Sequence, residues 1–164
     1  MSKRAGWHQI VKEVLKELGQ KKNYDVSESE QEILLASRFQ RFADEKRQIH
    51  ELAYKPDILW KKGHIRQAIF EVEYLNPRSE PQLMDKRKYS IGSFMLAYLA
   101  THQRSIKNLV FITNSEALCG EIAKFVQLLD FGKTDHIWYL AEPSTKKSTI
   151  TKSLKKTILD EWKV

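Results

Sequence analysis

At 164 residues, with 41% hydrophobic and 30% charged side chains, the chain has the composition of one soluble globular domain with a proper core. Its 28 Lys plus Arg against 21 Asp plus Glu leave a net charge of +7, which favours polyanionic partners, nucleic acid above all. The lone Cys119 permits no intrachain disulfide, no apolar run of about 18 residues could span a membrane, and the N-terminus lacks the apolar core of a secretory signal. An intracellular, cytoplasmic protein is expected, associated with the nucleoid if the source is prokaryotic.

Trp7, Ile10, Val11, Val14, Leu15 and Leu18 recur at helical spacing and predict a helix over Gly6–Gly19, with Gly19 as its stop. Glu13 and Glu17 fall on a polar face of that helix with Lys12 and Lys16. Asn23–Glu28 alternates weakly and predicts a first strand, which would make Glu28 or Glu30 a neighbour of any acidic site. Ile33, Leu34, Leu35, Phe39 and Phe42 mark a helix over Ser29–Lys46, with Ser29 as its N-cap and Arg38, Arg41, Lys46 and Arg47 on its basic side. Ile49–Trp60 then leads into a strand that contains Asp57. Lys61–His64 makes a polar turn, and Ile69–Leu75 returns as the partner strand of a hairpin with a longer loop.

Asn76-Pro77 breaks that strand, and a helix is expected from Glu80 to His102 with Pro81 in its first turn. The stripe Met84, Lys88, Ile91, Met95, Tyr98 puts Lys88 in line with inward-facing apolar residues, with Lys86 and Arg87 beside it. Lys107–Asn114 reads as a buried strand, and Ser115 caps a helix that turns Leu118, Ile122, Phe125, Val126 and Leu129 inward. Cys119 on that helix has no histidine partner nearby and is assigned to packing. Phe131-Gly132 closes the helix, and His136–Leu140 is the last strand. From Ser144 to Val164, six lysines oppose Asp160 and Glu161, so this end carries +4 of the +7. Ile150, Leu154, Ile158 and Trp162 recur every four residues, which predicts a basic amphipathic helix. Its Lys152, Lys155 and Lys156 face either a phosphate backbone or solvent.

The chemistry concentrates in Pro56-Asp57 and in Glu71-Val72-Glu73. Side chains alternate along a strand, so Ile69, Glu71 and Glu73 share one face while Phe70, Val72 and Tyr74 share the other. Two neighbouring carboxylates on a half-buried strand repel each other and lose hydration unless a cation neutralises them. The hairpin would bring Asp57 to the same sheet end, and three converging carboxylates suit a hard cation such as Mg²⁺ or Mn²⁺. The competing explanation is a solvent-facing Glu-x-Glu paired with Lys or Arg on the next strand. The five histidines are scattered, and the glycines form neither a phosphate loop nor a dinucleotide fingerprint.

Pro56-Asp57, followed after thirteen residues by Glu71-Val72-Glu73, resembles the PD-(D/E)XK nuclease superfamily. The resemblance covers about Ala5 to Glu142. It implies an α/β restriction endonuclease-like core over residues 1–142, a central mixed β-sheet flanked by helices, with the basic C-terminal helix of 143–164 packed on or extending it. It further implies a Mg²⁺-dependent deoxyribonuclease, with Mn²⁺ able to substitute. In that scheme Asp57 and Glu71 hold the metal, and Glu73 is an added ligand or orients the attacking water. Glu73 stands where the family usually has lysine, so the lysine would come from the following helix as Lys88 or Lys86. Arg87, Lys152, Lys155 and Lys156 would contact DNA, and Glu13 or Glu17 would be the supporting acid of the first helix. A homodimer would cut both strands. The alternative is a catalytically inactive nucleic-acid-binding module on the same fold.

Overall fold

The structure, a computed structural model, describes residues 3–28, 33–35, 52–76, 92–102, 105–128 and 137–164. Helix α1 spans Lys3–Lys21 and strand β1 Asp25–Glu28. Strands β2 (Ile33–Leu35) and β3 (Leu52–Tyr54) pair with each other, and β4 (Ile58–Lys62) and β5 (Ile65–Glu73) form a hairpin. Helix α2 (92–102) leads to β6 (Asn108–Thr113), α3 (Glu116–Leu128) to β7 (Ile137–Ala141), and α4 (Lys147–Leu154) continues as a π-helix over Lys155–Glu161.

Five strands make one sheet in the order β1-β4-β5-β6-β7. The β1–β4 and β4–β5 pairs are antiparallel, whereas β5–β6 and β6–β7 are parallel, so the sheet is mixed. Helices cover both faces, because the central strands are apolar on both sides. On one face Trp60, Phe70, Val72, Val110 and Ile112 pack against Trp7, Val11, Val14 and Leu15 of α1 and against Ile150, Leu154 and Ile158. On the other, Leu59, Ile69, Leu109 and Phe111 pack against Phe94, Ala97 and Ala100 of α2 and Leu118, Ile122 and Val126 of α3. The expected α/β class with a mixed sheet between helices is what the chain adopts. Among the described residues no helix is long and apolar enough to cross a membrane.

Several expectations need correction. Ile33-Leu34-Leu35 is a strand rather than part of a Ser29–Lys46 helix. It pairs antiparallel with Leu52-Ala53-Tyr54, Ile33 opposite Tyr54, and a three-residue apolar run carries no period of its own to exclude that. The rest of that predicted helix, 29–32 and 36–46, lies outside the described residues. The stretch Ile49–Trp60 is not continuous: β3 ends at Tyr54, and β4 starts only at Ile58, after Pro56 and a bend at Asp57. Proline has no amide to lend to a ladder, so the chain leaves the sheet there. The hairpin loop is also shorter than expected, because Lys61 and Lys62 belong to β4 and only Gly63 and His64 make the turn. Gly63 has φ +59°, which glycine adopts without a Cβ clash. The register shifts between Trp60 and Lys61, with Trp60 opposite Ala68 but Lys61 opposite Arg66.

Gly19 does not stop α1, which continues to Lys21 and closes through Asn23 in the left-handed region at φ +59°. Glycine is required at position 19 for another reason: a Cβ there would lie 2.5 Å from Trp60 Nε1 and 2.7 Å from Val26 Cγ2. Ser115 does cap its helix, its Oγ accepting from the Leu118 amide at 3.3 Å. At the C-terminal end Ile150, Leu154 and Ile158 are buried, and Lys147 on α4 reaches both Glu13 (3.3 Å) and Glu17 (3.0 Å) on α1. The wider π turn, with Trp162 N–H donating to Thr157 O at 2.9 Å, sets the Trp162 ring against Trp138 at 5.1 Å between centroids.

Candidate active site

β5 is the strand that carries the acids, and it lies in the middle of the sheet. Glu71 sits opposite Phe111 of β6 and is only 4% exposed, so its carboxyl has lost nearly all of its water. The Tyr54 hydroxyl, delivered by β3, donates to Glu71 Oε1. Burial pushes the Glu71 carboxyl well above the ordinary glutamate range, and the nearby charge of Asp57 pushes the same way. Burial likewise raises the Tyr54 phenol, with the Glu71 charge adding to it.

Asp57 is positioned by the bend before β4 rather than by a strand. The Val72 amide, one pleat beyond the last β4–β5 pair, donates to Asp57 Oδ2 at 2.9 Å. Helix α1 reaches the same carboxylate with two side chains one turn apart. His8 Nε2 lies 3.5 Å from Oδ2, and Lys12 Nζ lies 3.4 Å from Oδ1. Burial alone would raise the Asp57 carboxyl. The His8 contact, the Val72 amide and the Lys12 charge outweigh it and hold the carboxyl below the usual aspartate range. The two acids are thus driven apart, Asp57 toward the charged form and Glu71 toward the neutral one.

Both open onto one polar cavity of about 230 Å³ that Glu73 also lines. His8 and Lys55 supply basic groups at its wall, and Tyr74 and Ser93 complete it. The sequence-predicted acids Asp57, Glu71 and Glu73 therefore meet at one cavity. The other predicted residues do not join them. Glu13 and Glu17 are engaged by Lys147, away from the cavity. Lys152, Lys155 and Lys156 are exposed on the C-terminal helical segment and do not line it. Lys86, Arg87 and Lys88 lie outside the described residues. Lys12 is not on a solvated face as expected: it is 6% exposed and shared between Glu28 (3.0 Å) and Asp57. Glu28 is held in turn by Lys16. Cys119 is half-buried, and burial followed by the Glu116 charge raises its thiol, which suits packing rather than nucleophilic work.

Sequence reasoning missed His8, Lys12, Tyr54 and Lys55. The i, i+4 spacing of His8 and Lys12 next to buried Trp7 and Val11 was the available signal for the first two. Tyr54 and Lys55 had only their nearness to Pro56-Asp57.

The donor set can be tested against a divalent ion. Among the described residues no three His, Cys, Asp or Glu side chains are grouped so that together they could hold a metal ion. Mg²⁺ does not need three, since it keeps several waters and takes one or two carboxylates together with substrate phosphate. A buried Glu71 pushed toward the neutral form, beside an Asp57 held toward the charged form on an open polar cavity, fits such an ion.

Compared with protein families, curated proteins and solved structures, the chain matches none of them.

Proposed function

We propose that the chain is a metal-dependent nuclease that hydrolyses DNA phosphodiester bonds, with Asp57 and Glu71 as metal ligands. The observation that carries this is the meeting of Asp57, Glu71 and Glu73 at one polar cavity, with Glu71 buried beside Asp57. A bound Mg²⁺ or Mn²⁺ would supply an acidified water and relieve charge on the phosphate. The protein's own groups do the rest. Asp57 is kept ionised by His8, Val72 and Lys12, so it is ready to accept a cation without first losing a proton. Tyr54 fixes Glu71 Oε1 and leaves the carboxyl facing the cavity. Glu73 on the cavity wall serves as a further ligand or orients the attacking water, and Lys55 and His8, which line the same cavity, would meet the negative phosphate. The net +7 draws DNA toward the protein, with Lys152, Lys155 and Lys156 as backbone contacts. Lys88 or Lys86 on the helix after β5, with Arg87 beside them, belongs to the same proposal, as does a homodimer for cutting both strands.

The Glu at position 73, in place of the lysine of the resembled motif, favours one second reading: a DNA-binding module without catalysis. Cleavage of supercoiled plasmid in Mg²⁺, Mn²⁺ or EDTA separates the two. The nuclease predicts metal-dependent nicking that Asp57→Ala abolishes while DNA binding is spared. Full activity in Asp57→Ala sinks the assignment, and salt-sensitive binding with no cutting by the wild type selects the binding module.

A further inference from the structure

We infer that Lys12 is a positioning residue of this site: a resident counter-ion that holds Asp57 when no divalent cation is bound and competes with that cation for it. The inference rests on the cation site of the nuclease reading, though not on cleavage. A buried ammonium is tolerated only when it is paired. Lys12, 6% exposed, meets Glu28 Oε1 at 3.0 Å and Asp57 Oδ1 at 3.4 Å. Its neighbours on α1, Val11, Val14 and Leu15, are fully buried, so this side of the helix faces the core. The other Asp57 oxygen is taken by the Val72 amide at 2.9 Å, with His8 Nε2 at 3.5 Å. Both oxygens are therefore held from the protein side. Glu28 gives Lys12 a second partner, itself secured by Lys16, so Lys12 keeps a counter-charge when a cation takes over Asp57.

A fixed positive charge at this place has two opposed effects. It keeps the carboxylate ionised and aimed, and it repels any further cation that approaches the same oxygens. Removing it must strengthen cation binding while disturbing the geometry that binding needs for turnover. A lysine with a merely structural role would produce the reverse: loss of Lys12 would loosen Asp57 and weaken the site.

The test is a Mn²⁺ titration followed by electron paramagnetic resonance on the full chain, for wild type, Lys12→Met, Lys12→Arg and Glu28→Gln, with plasmid cleavage measured alongside. Lys12→Met is expected to bind Mn²⁺ about tenfold tighter or more, since even a water-like dielectric leaves a sizeable repulsion between close charges. Its kcat at saturating Mn²⁺ should fall by about 10–100-fold, the usual cost of losing an outer support of a ligand, with KM for DNA unchanged. Lys12→Arg, which keeps the charge, should leave the Mn²⁺ Kd within about twofold. Glu28→Gln removes a carboxylate that competes with Asp57 for Lys12 and should weaken Mn²⁺ binding several-fold. Unchanged or weaker Mn²⁺ binding in folded Lys12→Met overturns the inference. If that variant does not fold, unchanged or tighter binding in Glu28→Gln overturns it instead. A wild type that binds Mn²⁺ without cutting DNA sinks the nuclease reading and leaves the inference to the titration, whereas a wild type that binds no Mn²⁺ overturns both.

Discussion

The Glu71 carboxyl titrates well above its ordinary value, so over the intervening pH range the folded protein keeps a proton that the unfolded chain has already released. Stability then falls as pH rises from the unfolded glutamate pKa of about 4.3 toward the folded value, because the native state binds more protons there. Glutamine has the same shape, carries no charge and can still accept from Tyr54. Glu71→Gln should therefore melt higher than wild type in EDTA at pH 7–8, by roughly 2–4 °C for each kcal/mol gained in a chain of this size. The gap should close as pH is lowered toward 4, where the wild-type group is neutral too. Melting curves across that range check it, and a Glu71→Gln protein that melts lower at pH 8 contradicts it. Asp57 has the opposite sign. Its folded carboxyl is held low, so its contribution is fully present above the unfolded pKa of about 3.9 and is lost only as pH falls through the folded value. Of these residue-level facts, the sequence disclosed the acids but not their environment. Lys12 is joined to Asp57 across 45 positions, and its helical spacing from His8 does not reveal which distant carboxylate it meets.

Among the elements, α1 supports the site most directly, since it sends both His8 and Lys12 to Asp57. Its approach to the sheet is set at Gly19, where the helix crosses Trp60 of β4. Adding a methyl group there drives it into a fully buried indole. Such overpacking costs about 1–3 kcal/mol, partly offset by the roughly 1 kcal/mol that Ala gains over Gly within a helix. Gly19→Ala is thus expected to lose about 1 kcal/mol net, read as a lower midpoint in urea with an unchanged m-value. An equal or higher midpoint would mean that α1 shifts freely and that Trp60 does not fix it. The sequence made this helix legible, because Trp7, Val11, Val14, Leu15 and Leu18 repeat at helical spacing. The same reasoning failed at Ile33-Leu34-Leu35, whose strand state depends on a partner, Leu52-Ala53-Tyr54, that a local period cannot reveal. It also took Gly19 for a stop, since a glycine needed for close approach and one needed for termination look alike in sequence.

At the scale of the whole molecule, the mixed sheet explains why the acids gather where they do. The antiparallel hairpin brings the Asp57 bend alongside the C-terminal half of β5, and the parallel β6 buries Glu71 from the other side. Helices on both faces then leave the strand end, rather than a sheet face, as the place where polar groups can reach solvent. Alternating acids on an apolar strand were enough to locate that end in advance. The basic walls of the cavity were not foreseen, because His8 and Lys55 come from segments whose sequences carry no motif.

If Asp57 and Glu71 form a cation site that cuts DNA, plasmid cleavage by wild type and Glu71→Gln, each with Mg²⁺ and with EDTA, will show it. Glu71→Gln suits this purpose because the account expects it to fold and melt higher, so lost activity cannot be blamed on lost structure. The prediction is Mg²⁺-dependent cutting by wild type and a drop of about 100-fold or more in Glu71→Gln, the scale seen when a preorganised charge-stabilising group is removed. Equal cutting by the two proteins, or cutting by wild type that persists in EDTA, would contradict the account.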